Sequence, residues 1–215
     1  MPDQIKIQGG FVVVFEGIDG VGKSTQIERL KSHLEGLGYD VVTLRNLGGS
    51  PIGEALREVM LSETPRPPLT DMHISLAIQS ALIDVIDQAR AKGQIVLMDR
   101  GPYSLAAYQI YGTGIEGDLA WQHVEAGLDA IHPELSILMT ADIETSLDRG
   151  REHSGKADYF ESKPVEYFEN VSQGYIEMAD KYSMQILNAN RPIEEIARDV
   201  SDLVGCGARW RSSGH

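Results

Sequence analysis

The sequence predicts an α/β fold, a five-stranded parallel sheet with helices on both faces, in a single domain. Three observations predict it. Short apolar or β-branched runs at 11–15, 41–44, 95–98, 135–139 and 184–187 alternate with longer segments of helical periodicity, and strands separated by helices pair in parallel. The first run, FVVVF, is apolar throughout, as a strand covered on both faces must be, and it empties directly into a glycine-rich turn. With 215 residues and 42% hydrophobic composition, the chain can bury one substantial core without a second domain.

That turn reads Gly17-Ile18-Asp19-Gly20-Val21-Gly22-Lys23-Ser24. It is a phosphate-binding loop between strand and helix, so the fold expected is that of the P-loop NTPases. Gly17, Gly20 and Gly22 take backbone angles other residues resist, which lets successive N–H groups line a concave nest for phosphate oxygens. The following helix adds its positive N-terminal end, Lys23 brings an ammonium to the outer phosphates, and the Ser24 hydroxyl is placed for magnesium. The cofactor-binding set is therefore Gly17, Asp19, Gly20, Val21, Gly22, Lys23, Ser24 and, as helix neighbour rather than metal ligand, Thr25.

The helix after the loop spans 24–37, with Ile27, Leu30 and Leu34 at helical spacing and Gly38 closing it. Arg45 stands just beyond the second strand. Ligands of open α/β sheets bind outside the carboxyl ends of the strands, so Arg45 sits on the working edge. A helix over 52–61 follows, and PRPP at 65–68 must be a loop. Thr70 or Asp71 caps the next helix, which carries Ile74, Leu76, Ala77, Ile78, Ala81, Leu82, Val85 and Ile86 and ends near Lys92.

The third strand ends in Asp99-Arg100. An Asp there holds the water shell of magnesium, and the adjacent Arg forks onto a phosphate. Helices over 104–111 and 119–131 flank a Gly112-Thr113-Gly114 break, and another covers 142–149. The stretch 149–163 is polar, glycine-punctuated and locally basic, the composition of a lid that closes cations over moving phosphates. A long helix over 165–182 and a closing helix over 192–204 complete the chain, and the tail 205–215 is expected to fray.

A net charge of −13 and a pI near 4.8 exclude a protein whose work is gripping nucleic acid. The one cysteine, Cys206, forms no internal disulfide and suits a reducing cytoplasm. No apolar run reaches the ~20 residues of a membrane span, and no targeting segment leads the chain. A soluble cytoplasmic protein with a small-molecule partner is the expectation.

Four separated motifs carry a resemblance: FEGIDGVGKSTQ at 15–26, GGSPIGE at 48–54, DRGPYSLAAYQ at 99–109 and EYFENVSQGYIEMA at 166–179. Over residues 11–204 the chain resembles the thymidylate kinases, P-loop enzymes that move the γ-phosphate of ATP onto thymidine monophosphate. The resemblance implies that Lys23 and Ser24 serve the ATP phosphates and magnesium, with Asp99 at the metal. It implies that Asp19 approaches the acceptor, that Arg45 and Arg100 grip the acceptor phosphate, and that Ser104, Tyr108 and Gln109 line its sugar and base. Asn188 and Ala189, with Asn190, would neighbour adenine, and a homodimer is implied. Some members place a catalytic arginine in the P-loop. Here that position is Gly20, which points to the class with lid cations, for which Arg149, Arg151 and Lys156 are the candidates.

Three positions depart from the family pattern. Arg45-Asn46-Leu47-Gly48-Gly49 stands where Arg-Glu-Pro-Gly-Gly is usual. The base-reading Phe and Arg fall in Leu76-Ala77-Ile78-Gln79-Ser80, leaving Leu76 beside the base and Gln79 or Ser80 to read its polar edges. Tyr159 follows Asp158 where a lid arginine is usual. An enzyme acting on a different or modified nucleotide, and a non-catalytic nucleotide-binding regulator, are the alternatives to thymidine monophosphate kinase.

Overall fold

A computed structural model describes residues 4–115, 117–154 and 163–212, except for the side chains of 153, 154 and 206–212. Among these residues five strands form one parallel sheet in the order β2-β3-β1-β4-β5. β1 (Phe11–Glu16) is central and buried along its whole length. It pairs with β3 (Ile95–Asp99) on one side and β4 (Leu135–Thr140) on the other. β2 (Val41–Arg45) and β5 (Gln185–Asn188) are the edges. The chain leaves β1 towards one edge and later crosses to the other, so the crevice beyond the carboxyl end of β1 is the switch point where such sheets bind ligands. Arg45 is the last residue of β2, paired in register with Asp99, rather than a residue beyond it. Ile5 makes only an isolated bridge to Tyr39 and does not extend β1.

α1 (Lys23–Gly36) starts directly from the glycine loop and buries Ile27, Leu30 and Leu34, as its spacing requires. α2 (Pro51–Leu61) has Pro51 in its first turn and Ser50 as cap, whose Oγ accepts the Gly53 N–H at 3.0 Å. α3 (Pro68–Ala91) begins earlier than expected: Pro67 is its cap, and Thr70 and Asp71 lie inside the first turn. Asp71 is buried instead and pairs with Arg66, which also donates to the Ser62 and Thr64 carbonyls and so ties down the loop between α2 and α3. Contrary to the expectation from apolar runs, α3 is long and apolar enough by length and composition to cross a membrane. Its Met72, Ile78, Leu82 and Ile86 are buried in the body of the domain.

After β3 the chain makes a short α4 (Pro102–Leu105) and then a π-helix (Ala106–Gly112), where a single α-helix was expected. π-Helical turns recur at functional sites, and this one carries Tyr108 and Gln109. α5 (Asp118–Ile131) precedes β4. α6 (Ile143–Ser154) is capped by Asp142, whose Oδ1 accepts the Thr145 N–H at 2.9 Å, and it continues through the stretch expected to open as a lid at Arg149. The remainder of that stretch, 155–162, with Lys156, Asp158 and Tyr159, lies outside the described residues. α7 (Val165–Lys181) and α8 (Ile193–Ser212) close the domain, and the backbone of α8 stays helical well past the expected end at Val204.

α7 and the π-helix pack through glycines. A Cβ on Gly174 would collide with Tyr111 at Cγ and Cδ2, and one on Gly112 would crowd the Tyr167 ring. The close approach matters because it sets Tyr175 of α7 against Tyr108, with ring centroids 6.4 Å apart. Gly174→Ala is expected to force Tyr111 aside at about 1–3 kcal/mol, lowering the melting temperature by roughly 3–10 °C in a calorimetric scan.

Candidate functional site

A cleft of about 1130 Å³ opens beyond the carboxyl ends of the strands. It exceeds the roughly 300–1,000 Å³ that hold one small ligand, so two can lie in it together. One wall is the P-loop. Gly17, Gly20 and Gly22 have φ of 133°, 77° and 97°, angles that a side chain would strain. Gly20 carries a second constraint: a Cβ there would run into the Ser146 carbonyl of α6, so this helix lies directly on the loop.

Lys23 is buried, and its Nζ donates to the carbonyls of Gly17 and Ile18 at 2.9 Å each. Burial and the neighbouring Arg100 lower its pKa, while Asp99, Asp19 and Glu16 oppose the shift. Beside it the Ser24 Oγ donates to Asp99 Oδ2 at 2.7 Å, which puts a hydroxyl oxygen and a carboxylate side by side at the mouth of the loop. Magnesium takes few direct protein oxygens, keeping waters and substrate phosphates, and this pair fits it. Among the described residues no group of three or more His, Cys, Asp or Glu side chains forms a metal cage.

Across the cleft stands Arg100, at the end of β3. It has φ 68°, a left-handed backbone uncommon outside glycine, and its N–H donates to the Phe15 carbonyl at 2.8 Å. This bends its side chain back towards β1. Its Nη2 donates to Asp19 Oδ1 and to Tyr108 Oη, both at 2.8 Å, and its Nη1 to Tyr175 Oη at 2.9 Å and Ser104 Oγ at 3.3 Å. Its guanidinium carbon also lies 4.8 Å from the centre of the Tyr108 ring. Burial acts to raise the Asp19 pKa, but Arg100 and Lys23 outweigh it and bring Asp19 down to about 2. Arg100 thus stays charged and touches the P-loop itself.

Arg45 lies at the rim, half exposed, paired with Glu54 at 2.6 Å. Glu54 also accepts the Gly49 N–H at 3.0 Å, which, with Arg45, lowers its pKa. Asn46, one of the departures noted in the sequence, is buried. Its Nδ2 donates to the Gly101 carbonyl at 3.1 Å and its N–H to the Asp99 carbonyl at 2.9 Å, so it couples the ends of β2 and β3.

The structure brings together most of the expected residues. Asp19, Gly20, Val21, Gly22, Lys23, Ser24, Thr25, Arg45, Asp99, Arg100, Ser104, Tyr108, Gln109, Arg149 and Ala189 all line this cleft. Gly17 serves it through its carbonyl. Leu76, Gln79 and Asn188 are not in the cleft wall. Gln79 is buried with its amide against Gly127 of α5, where a Cβ would collide with it, away from the cleft wall. Ser75 and Arg57, neither of them expected, occupy the wall instead. Arg151 is exposed and pairs with Asp148 on its own helix at 3.5 Å, outside the cleft wall.

Glu16 and Tyr175 were missed as well. Glu16 is fully buried and accepts from Gly101, Ser104 and Tyr175. The signal for Glu16 was present: a charge ending an apolar strand, the rule that singled out Asp99. Nothing in the spacing of α7 marks Tyr175.

The family model for thymidylate kinase matches residues 15–200. The chain is 34% identical over 202 residues to the thymidylate kinase of Halothermothrix orenii, covering 92% of this chain and 98% of that protein. It is 32% identical to that of Methylobacillus flagellatus, covering 91% and 97%. The fold is similar to the crystal structure of thymidylate kinase from Ehrlichia chaffeensis, with a TM-score of 0.74 and 23% identity over 91% of this chain and 99% of that one.

The seat of α6 on the loop gives a direct expectation. Gly20→Ala is expected to displace either α6 or the loop, lowering stability by about 1–3 kcal/mol. A thermal melt with and without ATP and magnesium checks it: both the baseline and the nucleotide-induced increment should shrink.

Proposed function

The chain belongs to the thymidylate kinase family, and from that premise we propose that its cleft moves the γ-phosphate of ATP onto thymidine monophosphate through two phosphate sites that face each other. One observation carries the division: Arg100, the cation at the end of β3, is 2.8 Å from Asp19 of the P-loop. A phosphate held by Arg100 therefore meets a triphosphate held by the loop without either substrate having to travel.

On the donor side the loop amides and Lys23 receive the β- and γ-phosphates, and the α1 N-terminus adds its positive end. Adenine lies towards Ala189, the residue after β5. Ser24 and Asp99 hold magnesium, which when bound spreads the charge of the moving phosphoryl group. On the acceptor side Arg100, a planar fork, grips the monophosphate, with Arg45 at the rim exchanging Glu54 for phosphate. Tyr108, Ser104 and Gln109 line the sugar and base. Arg149 of α6 supplies the lid cation, and Lys156 joins it as a candidate from outside the described residues.

Phosphoryl transfer asks little covalent work of the protein, so these fixed cations and the in-line placement of two substrates supply most of the effect. The reading extends to a cytoplasmic homodimer without nucleic-acid or membrane partners. Support comes from the acidic charge and from the exposed apolar side chains Ile52, Val59 and Leu69 on neighbouring α2 and α3.

Removing the ammonium by Lys23→Ala should lower kcat by about 10²–10³-fold or more while the protein stays folded. Arg100→Ala should raise KM for the acceptor far more than KM for ATP. A panel of monophosphates assayed with ATP should give its best turnover on thymidine monophosphate. Best turnover on a base other than thymine or uracil would replace the assigned acceptor, and no ADP from any acceptor would reject catalysis.

A further inference from the structure

Beside Arg100 lies a buried carboxyl group the transfer mechanism does not use. Glu16, the last residue of β1, is 0% exposed. Its Oε1 accepts the backbone N–H groups of Gly101 and Ser104 at 2.7 and 3.2 Å. Its Oε2 accepts the hydroxyls of Ser104 at 2.7 Å and Tyr175 at 2.9 Å. Those two hydroxyl oxygens are 2.8 Å apart, and both accept from Arg100 Nη1.

The hydrogen count decides what this arrangement does. Burial pushes the Glu16 pKa up, against Arg100 and the hydrogen bonds it accepts. With Glu16 in its ionised form, three oxygens, Glu16 Oε2, Ser104 Oγ and Tyr175 Oη, share two hydroxyl hydrogens, because a carboxylate has none to give. Both hydrogens are consumed inside the triangle, so the lone pairs of both hydroxyls face outwards, onto the guanidinium. An amide at residue 16 would bring its own hydrogens to the triangle and free a hydroxyl hydrogen to point at Arg100.

We propose that Glu16 is a positioning residue for the acceptor-phosphate site: through Ser104 and Tyr175 it fixes the orientation in which the Arg100 guanidinium meets the monophosphate. The backbone supports the same role, since Glu16 also clamps the 101–104 turn that follows Arg100 in its left-handed conformation. This inference rests on the reading of Arg100 as the acceptor-phosphate ligand.

The test is a double-mutant cycle on acceptor KM, with ATP KM and melting temperature measured alongside. Glu16→Gln keeps the shape, and it should raise thymidine monophosphate KM by roughly 10-fold, with ATP KM unchanged. In an Arg100→Ala background the same change should add nothing further to acceptor KM. Tyr175→Phe, which removes only the bridging hydroxyl, should move acceptor KM in the same direction and keeps the test open if Glu16→Gln does not fold. Equal effects of Glu16→Gln with and without Arg100, a fall in melting temperature with acceptor KM untouched, or a loss confined to ATP would each overturn the proposal. If Arg100→Ala alone left acceptor KM unchanged, the assignment of the acceptor site would fail first, a result distinct from failure of the positioning role.

Discussion

A guanidinium only 12% exposed, which must be paired, is the constraint on which the rest of this structure turns. Taking a cation out of water costs several kcal/mol unless carboxylates and hydrogen bonds replace the lost hydration. Arg100 meets that demand with Asp19 from the P-loop, Tyr108 from the π-helix and Tyr175 from α7. Each partner comes from a different element, so satisfying one side chain fixes the relative placement of four segments. The P-loop and the wall formed by the π-helix and α7 are thereby built against each other.

The surrounding sheet makes this economical. β1 and β3 are adjacent and in register, so Phe15 and Asp99 lie side by side, and the residues that follow them emerge into one crevice. A phosphate-binding turn follows one strand and the Asp99-Arg100 pair ends the other. Under the proposed reading two phosphate-binding tasks, cradling a triphosphate and gripping a monophosphate, share a wall. Gly20 and Gly174 serve the same end by close approach, the first letting α6 lie on the loop and the second letting α7 reach Tyr111. Where a methyl group would intrude, the chain has none.

Much of this was legible in the sequence, for identifiable reasons. Buried parallel strands are apolar on both faces, and the glycine turn between strand and helix has few other uses, so the sheet and the glycine loop could be placed from the sequence. Side-chain direction within a helix was less accessible. Gln79 had a helical phase compatible with the cleft, but it packs on Gly127 because α5 approaches α3 there without a side chain between them. The π-helix hid for a related reason: one widened turn rotates Tyr108 and Gln109 relative to an ideal helix while leaving composition untouched. The contact of Glu16 with Tyr175 joins residues 159 apart, and no spacing rule reaches that far. The departures at Asn46 and Gln79 find different outcomes, since Asn46 holds two strand ends together whereas Gln79 leaves the cleft altogether.

The central claim is that donor and acceptor phosphates meet between the P-loop and Arg100. The most direct measurement is a crystal structure with a bisubstrate analogue in which adenosine and thymidine are joined by a chain of phosphates. The account predicts the chain running from the amides of Gly20 to Ser24 to the guanidinium of Arg100, with thymidine against Tyr108 and Gln109. A thymidine end lodged elsewhere, with Arg100 still bound only to Asp19 and the tyrosines, would contradict it.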